Sequence, residues 1–132
     1  MPMNPVISII DDDSSVRDGT MDLLNSLGFI AVAFARADEF LQFDRLYTTS
    51  CLIADMQLPG MTGLELYERL VVSGRDVPTI LITAFPDGKD RERALRAGVT
   101  CYLTKPFSEK ELIACIRSAL EGRKNGSGKE AT

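Results

Sequence analysis

One α/β domain, a five-stranded parallel sheet with helices on both faces, is predicted by three observations. Short β-prone apolar runs alternate with amphipathic segments five times along the chain. Several of these runs, Thr79-Ile80-Leu81-Ile82-Thr83 above all, are too apolar or β-branched to carry a wet face, as expected of strands covered on both sides. At 132 residues with 45% apolar content, the chain suffices for a single core and leaves no room for a second domain.

The first strand is Val6 to Ile10, broken by Asp11-Asp12-Asp13, after which Ser14 can cap a helix. From Ser14 to Leu27 the positions Val16, Leu23, Leu24 and Leu27 recur at helical spacing, and Gly28 supplies the stop. Ile30 to Phe34 is the second strand. A short helix is expected over Asp38 to Phe43, although Arg36 is a poor cap. The third strand, Cys51 to Ala54, ends on Asp55 and turns at Pro59-Gly60. Gly63 opens a helix whose stripe is Leu66, Tyr67, Leu70 and Val71, closed by Gly74. Pro78 introduces the fourth strand, Thr79 to Thr83. The charged segment Lys89 to Ala97 is the next helix, ended by Gly98, and Cys101 to Thr104 is the fifth strand. Ser108 and Glu111 form a capping-box pattern ahead of Leu112, Ile116 and Leu120. The domain is thus expected over residues 1–121, with 122–132 a polar, Gly-rich tail or linker.

Right-handed crossovers leave few topologies for such a chain. In one of these, the order 2-1-3-4-5, which the sequence by itself does not fix, strands one and three would be neighbours at the switch point and Asp11, Asp12 and Asp55 would share one crevice at the carboxyl edge, where open α/β sheets bind ligands. The fourth strand ends there on Thr83, and the fifth just before Lys105-Pro106. Like charges about 4 Å apart repel by roughly 4 kcal/mol at an effective dielectric near 20, so the acids need a cation among them. An oxygen-rich site without histidine suggests Mg²⁺ or Mn²⁺. It suits phosphoryl transfer to a carboxylate: Asp55 attacks as nucleophile while the metal, Lys105 and Thr83 meet the phosphoryl oxygens. Taken singly, each residue has a plainer role: an acid caps a helix, a Thr follows β propensity, a Lys before Pro sits in a turn. At one edge of one sheet the joint reading is favoured. Tyr102 is the exception, since an aromatic residue in a strand is ordinarily packing. Asp13 reads as a solvated turn residue or helix-end charge.

Composition removes other classes. The net charge of -4 leaves no basic surface for nucleic acid. No apolar run approaches the roughly 20 residues of a membrane span, and residues 1–5 lack signal-peptide character, so the cytoplasm is the expected location. Histidine is absent, which excludes imidazole zinc sites, Ser-His-Asp hydrolysis and histidine phosphotransfer within the chain. The three cysteines, Cys51, Cys101 and Cys115, lack metal-ligand spacing and are expected as reduced core residues.

Ile9-Ile10-Asp11-Asp12-Asp13, Asp55-Met56-Gln57-Leu58-Pro59-Gly60-Met61-Thr62-Gly63, Ile82-Thr83-Ala84, Ala97-Gly98 and Tyr102-Leu103-Thr104-Lys105-Pro106-Phe107 occur in order. Over Val6 to Leu120 the chain resembles the receiver domain of a bacterial two-component response regulator, of the FixJ type. The resemblance implies the flavodoxin-like order 2-1-3-4-5 and Asp55 as phosphoacceptor. It implies Asp12 as direct Mg²⁺ ligand, Asp11 as ligand through water, and the Gln57 backbone carbonyl completing the protein's share. Thr83 and Lys105 match the phosphoryl-binding hydroxyl and lysine, Thr83 and Tyr102 the switch pair, and Pro106 a cis-proline. A sensor histidine kinase or histidine phosphotransfer protein is the implied partner, and a phosphorylation-dependent homodimer a further one. Neither nucleic acid nor a membrane is expected to contact this domain, and no turnover beyond its own aspartyl phosphorylation and dephosphorylation is expected. Gln57 and Phe85, two residues beyond Asp55 and Thr83, border the path of a water attacking the phosphoryl group. The alternative is a haloacid-dehalogenase-type Mg²⁺-dependent phosphatase, for which Asp11-x-Asp13 superficially offers a first motif. Against it, no acidic pair follows Lys105, since Glu109 and Glu111 fit helix capping. Flavin binding is disfavoured because a phosphate cradle needs amides and hydroxyls where this chain has three acids.

Overall fold

In the computed structural model, which describes residues 4–43 and 48–124, twelve elements follow one another among the described residues. They are β1 (Val6–Ile10), α1 (Ser14–Ser26), β2 (Ile30–Phe34), α2 (Ala37–Leu41), β3 (Thr49–Asp55), β4 (Gln57–Leu58), β5 (Met61–Thr62), α3 (Gly63–Val72), β6 (Thr79–Thr83), α4 (Gly88–Ala97), β7 (Cys101–Thr104) and α5 (Glu109–Lys124). The main sheet is parallel in the order β2-β1-β3-β6-β7, the five-stranded 2-1-3-4-5 order once the small β4-β5 hairpin is set aside.

Alternate residues of the central strands feed two cores. Ile7, Ile9, Cys51, Ile53, Ile80 and Ile82 pack with Leu24 of α1 and Leu112, Ile116 and Ala119 of α5. Ile10, Leu52, Ala54 and Leu81 point the other way, onto Phe40 of α2, Leu64, Leu66 and Leu70 of α3, and Ala94 of α4. This period of two, buried on both sides, is why the strands read as unbroken apolar runs. The buried Ser8 and Thr49 hydroxyls bond each other at 2.8 Å, so neither is left unpaired.

Several local expectations need correction. Asp13, not Ser14, is the N-cap of α1, its carboxylate accepting from the Ser15 and Val16 amides. An acid accepts two amides where a hydroxyl commonly serves one, so the cap forms one residue earlier. Helix α2 starts at Ala37 and ends at Leu41; the Arg36 side chain makes no cap bond, and Glu39 accepts from the Ala35 and Arg36 amides instead. On α3 the buried stripe is Leu64, Leu66 and Leu70, while Val71 is half exposed. Its start is secured by a reciprocal Thr62-Glu65 box. On α1 only Leu24 of the predicted stripe is fully buried, and Leu27 is exposed. The cysteine expectation holds for Cys51, which is free and buried, but not for the other pair: Cys101 of β7 and Cys115 of α5 are disulfide-bonded, Cα to Cα 6.0 Å. Packing of α5 beneath β7 brings together residues 14 apart in sequence, which no spacing rule displays. Helix α5 continues to Lys124, into the expected tail, and the rest of that tail lies outside the described residues.

Candidate functional site

Two acids are buried at the carboxyl edge because the sheet ladder holds their backbones there. Asp11 follows β1, and its N–H extends the pairing to Phe34 O at 3.1 Å; Asp55 is the last residue of β3. Their side chains are nearly closed off, whereas Asp12 faces solvent. One carboxylate oxygen from each of Asp11, Asp12 and Asp55 lies within 4.8 Å of the others. Lys105, reaching back from the end of β7, places Nζ 2.5 Å from Asp55 Oδ2 and 3.0 Å from Asp11 Oδ2. The Lys105-Pro106 peptide bond is cis.

The other oxygen of each buried carboxylate is also engaged. Asp11 Oδ1 accepts the Asp13 amide at 2.9 Å, and Asp55 Oδ1 accepts the Gln57 amide at 2.7 Å. Thr83, at the end of β6 and fully buried, accepts the Phe85 amide at 2.9 Å and donates to Gln57 Oε1 at 3.1 Å. Burial, opposed by the Asp13 amide and Lys105, pushes the Asp11 carboxyl above its ordinary range. Burial disfavours the Lys105 ammonium too, yet the hydrogen bonds it donates to Asp55 and Asp11 outweigh it and hold the lysine above its usual value. Two acids sharing one ammonium still carry excess negative charge. With Asp12 at the mouth, an oxygen-only donor set faces solvent there, which suits a hard divalent cation.

Tyr102 lies on β7, partly buried against the α3/α4 core, and its hydroxyl is buried without a hydrogen-bond partner among the described residues. Burial, with Asp90 and Asp87 nearby, raises its pKa against the opposing influence of the adjacent Thr83 hydroxyl and Asp87 backbone, which lie close to the hydroxyl without good hydrogen-bond geometry. Two contributors were missed in the sequence. Arg17, one turn into α1, donates from Nη1 to Asp11 O at 2.7 Å. The Gln57 side chain, expected to matter only through its backbone carbonyl and the water path, instead bonds Thr83. No local signal marks either, because each meets a partner supplied by another strand end. Beside the site, α1 and the loop after β7 enclose a groove of about 530 Å³ lined by Val16, Thr20, Leu23, Lys105, Pro106 and Phe107. Glu111 accepts the Ser108 amide and completes no metal site.

A doubly wound parallel sheet with a strand-end acid, an acidic pair, a hydroxyl and a lysine at its switch point defines an aspartate-centred α/β domain. The chain belongs to the response regulator receiver domain family, whose sequence profile matches residues 7–117. It is 36% identical over 116 residues to the response regulator protein TodT of Pseudomonas putida, covering 88% of this chain and 51% of TodT. Identity to the transcriptional regulatory protein FixJ of Azorhizobium caulinodans is 32% over 130 residues, covering 98% of this chain and 61% of FixJ. The chain spans about half the length of curated relatives such as these. Among solved structures, the response regulator StyR superposes with a TM-score of 0.86 at 37% identity, over 98% of this chain and 66% of StyR. FixJ-N superposes at 0.82 and 29% identity, over 91% of this chain and 96% of FixJ-N. The domain is therefore a phosphorylation-signalling module of two-component systems, a class that works with histidine kinases, and nothing in these similarities supports a haloacid-dehalogenase-type phosphatase. No helix among the described residues is long and apolar enough to cross a membrane.

Proposed function

We propose that Asp55 accepts a phosphoryl group from a phosphohistidine on a sensor histidine kinase or histidine phosphotransfer protein. The carrying observation is that Asp55, buried at the end of β3, is held by Lys105 more closely than Asp11 is, at 2.5 against 3.0 Å, while Asp11 and Asp12 crowd the same mouth. An Asp55 carboxylate oxygen bonds to phosphorus as the phosphorus–nitrogen bond to imidazole breaks. Lys105, freed from the carboxylate oxygen that becomes bonded to phosphorus in the acyl phosphate, pairs with a phosphoryl oxygen, and Thr83 donates to another.

The oxygen-only trio fits Mg²⁺ or Mn²⁺, which Asp12 and Asp55 would hold directly, Asp11 through water and the Gln57 backbone carbonyl as a further oxygen. When bound, the ion neutralises phosphoryl charge that a single lysine cannot balance. Domains of this kind promote their own phosphorylation and dephosphorylation without turnover of a separate substrate. The groove between α1 and the loop after β7 opens beside Lys105, where a donor histidine would enter. The phosphorylated domain signals through the α4, β7 and α5 surface, by homodimerisation or by contact with an output partner, in the cytoplasm and without touching nucleic acid itself.

Incubation with acetyl phosphate and Mg²⁺ should add one phosphoryl group, lost in Asp55→Ala. Asp12→Ala should weaken Mg²⁺ binding by at least tenfold, whereas Asp13→Ala, which loses only a helix cap, should change it little. The same adduct on Asp55→Ala by mass spectrometry would overturn the assignment, as would equal Mg²⁺ affinities of the two alanine variants for the metal roles.

A further inference from the structure

Gln57 touches both halves of the site at once. Its amide N–H holds Asp55 Oδ1 at 2.7 Å, and its side-chain Oε1 receives the Thr83 hydroxyl proton at 3.1 Å. A threonine hydroxyl has one proton to give. Thr83 already accepts the Phe85 amide, so the bond to Gln57 uses its whole donor capacity. For Thr83 to donate to a phosphoryl oxygen on Asp55, that bond must break. We propose that the Gln57 side chain is a latch: it holds the Thr83 hydroxyl in the resting arrangement and sets how strongly a phosphoryl group must pull to release it. This rests on the phosphoacceptor reading for its consequence, although the latch itself is a property of the phosphoryl-free protein.

The hydrogen bond joins unlike environments, and that limits its strength. Thr83 is fully buried, while Gln57 lies exposed on the β4-β5 hairpin and its amide is open to competing water. A bond of this kind biases the rotamer equilibrium by about two- to tenfold. That is large enough to shift a switch whose two arrangements are close in energy, and small enough for a phosphoryl group to overcome. A residue at this position lacking a side-chain acceptor leaves the hydroxyl free to be recruited, at the cost of a resting state less firmly held.

Two readouts test the latch and separate it from the reading beneath it. In the metal-free, phosphoryl-free protein, the three-bond couplings of the Thr83 methyl carbon report its χ1 rotamer. Wild type should show one rotamer, and both Gln57→Met and Gln57→Leu should show averaging. Unchanged couplings in both variants would overturn the latch. Titration with beryllofluoride and Mg²⁺ should then give two- to tenfold tighter binding to Gln57→Met than to wild type. The gain should vanish when Gln57→Met is placed in a Thr83→Val background. A gain that persists there means Gln57 acts on the phosphoryl site directly, and the latch is rejected. If wild type fails to bind beryllofluoride at all, the phosphoacceptor reading fails, while the coupling measurement still decides whether Gln57 holds Thr83.

Discussion

Cys51 shows how far burial alone can change a side chain. It sits in β3 between both helical layers, and desolvation pushes its thiol up to about 12. The folded state keeps this proton at a pH where the unfolded chain, with an ordinary value of 9.0, has lost it. The thiol's contribution to stability is therefore intact below pH 9 and falls as pH rises from there toward 12. Native protein should resist iodoacetamide at pH 9. Unfolding without reductant should expose one reactive thiol, and unfolding after reduction three, because Cys101 and Cys115 are bonded to each other. Labelling of Cys51 in the native state would contradict its burial. At the site, burial still prevails for Asp11 despite the Asp13 amide and Lys105, whereas for Lys105 the bonds to Asp55 and Asp11 prevail over burial. Burial thus makes one group inert and two others mutually dependent.

At the scale of elements, the start of α3 is the tightest junction near the site. A Cβ on Gly63 would lie 2.6 Å from the Asp55 carbonyl oxygen and 2.9 Å from Leu81 Cδ2, so the helix approaches β3 more closely than any side chain permits. Gly63→Ala must push α3 off the strand that carries Asp55. It should cost about 1–3 kcal/mol, read from the urea midpoint. Gly19, inside α1 with nothing within 4 Å of its added Cβ, is the matched contrast. Gly19→Ala should stabilise the domain by about 0.5–1 kcal/mol, the helix-propensity difference. Equal effects would mean that the contact at Gly63 is relieved without strain. Helix α4 is the opposite extreme: Ala94 is its sole buried residue, and its salt bridge from Arg93 to Glu68 is long and exposed. Such a pair contributes little, so α4 is held chiefly by its neighbours in the chain.

Across the whole molecule, the functional groups sit where β1, β3, β6 and β7 end, and the weakest helix lies next to two of those ends. Thr83 closes β6 shortly before α4, and Tyr102 on β7 pairs with Leu81 two residues before Thr83. The Tyr102 hydroxyl makes no well-aligned hydrogen bond among the described residues, although the Thr83 hydroxyl and the Asp87 backbone lie close to it, so its position is sensitive to where Thr83 points. A phosphoryl group drawing Thr83 toward Asp55 changes what Tyr102 faces, and α4 offers the least resistance to the adjustment. Hydrogen exchange with and without beryllofluoride and Mg²⁺ should show altered protection from Asp87 to Tyr102. Changes limited to the loops at Asp12 and Asp55 would exclude this route.

The five main strands, the helices between them and the acid–lysine constellation were legible in the sequence because each depends on local chemistry, whereas the short β4-β5 hairpin and parts of the α1 and α3 stripes were not. Period-two burial marks the strands, glycines at positive φ mark the ends of α1, α3 and α4, and runs that stop on Asp, Thr or Lys mark the edge. Even the strand order followed from few permitted crossovers together with family resemblance. Tertiary structure alone decided the rest. Cys101 met Cys115 because α5 lies under β7; Gln57 met Thr83 because the hairpin folds beside β6; Arg17 met the Asp11 carbonyl because α1 runs back along β1. Val71 fell outside the core because α3 turns its stripe toward Leu64. These contacts join residues whose neighbours in the chain say nothing of one another, so their partners are set by packing and not by pattern.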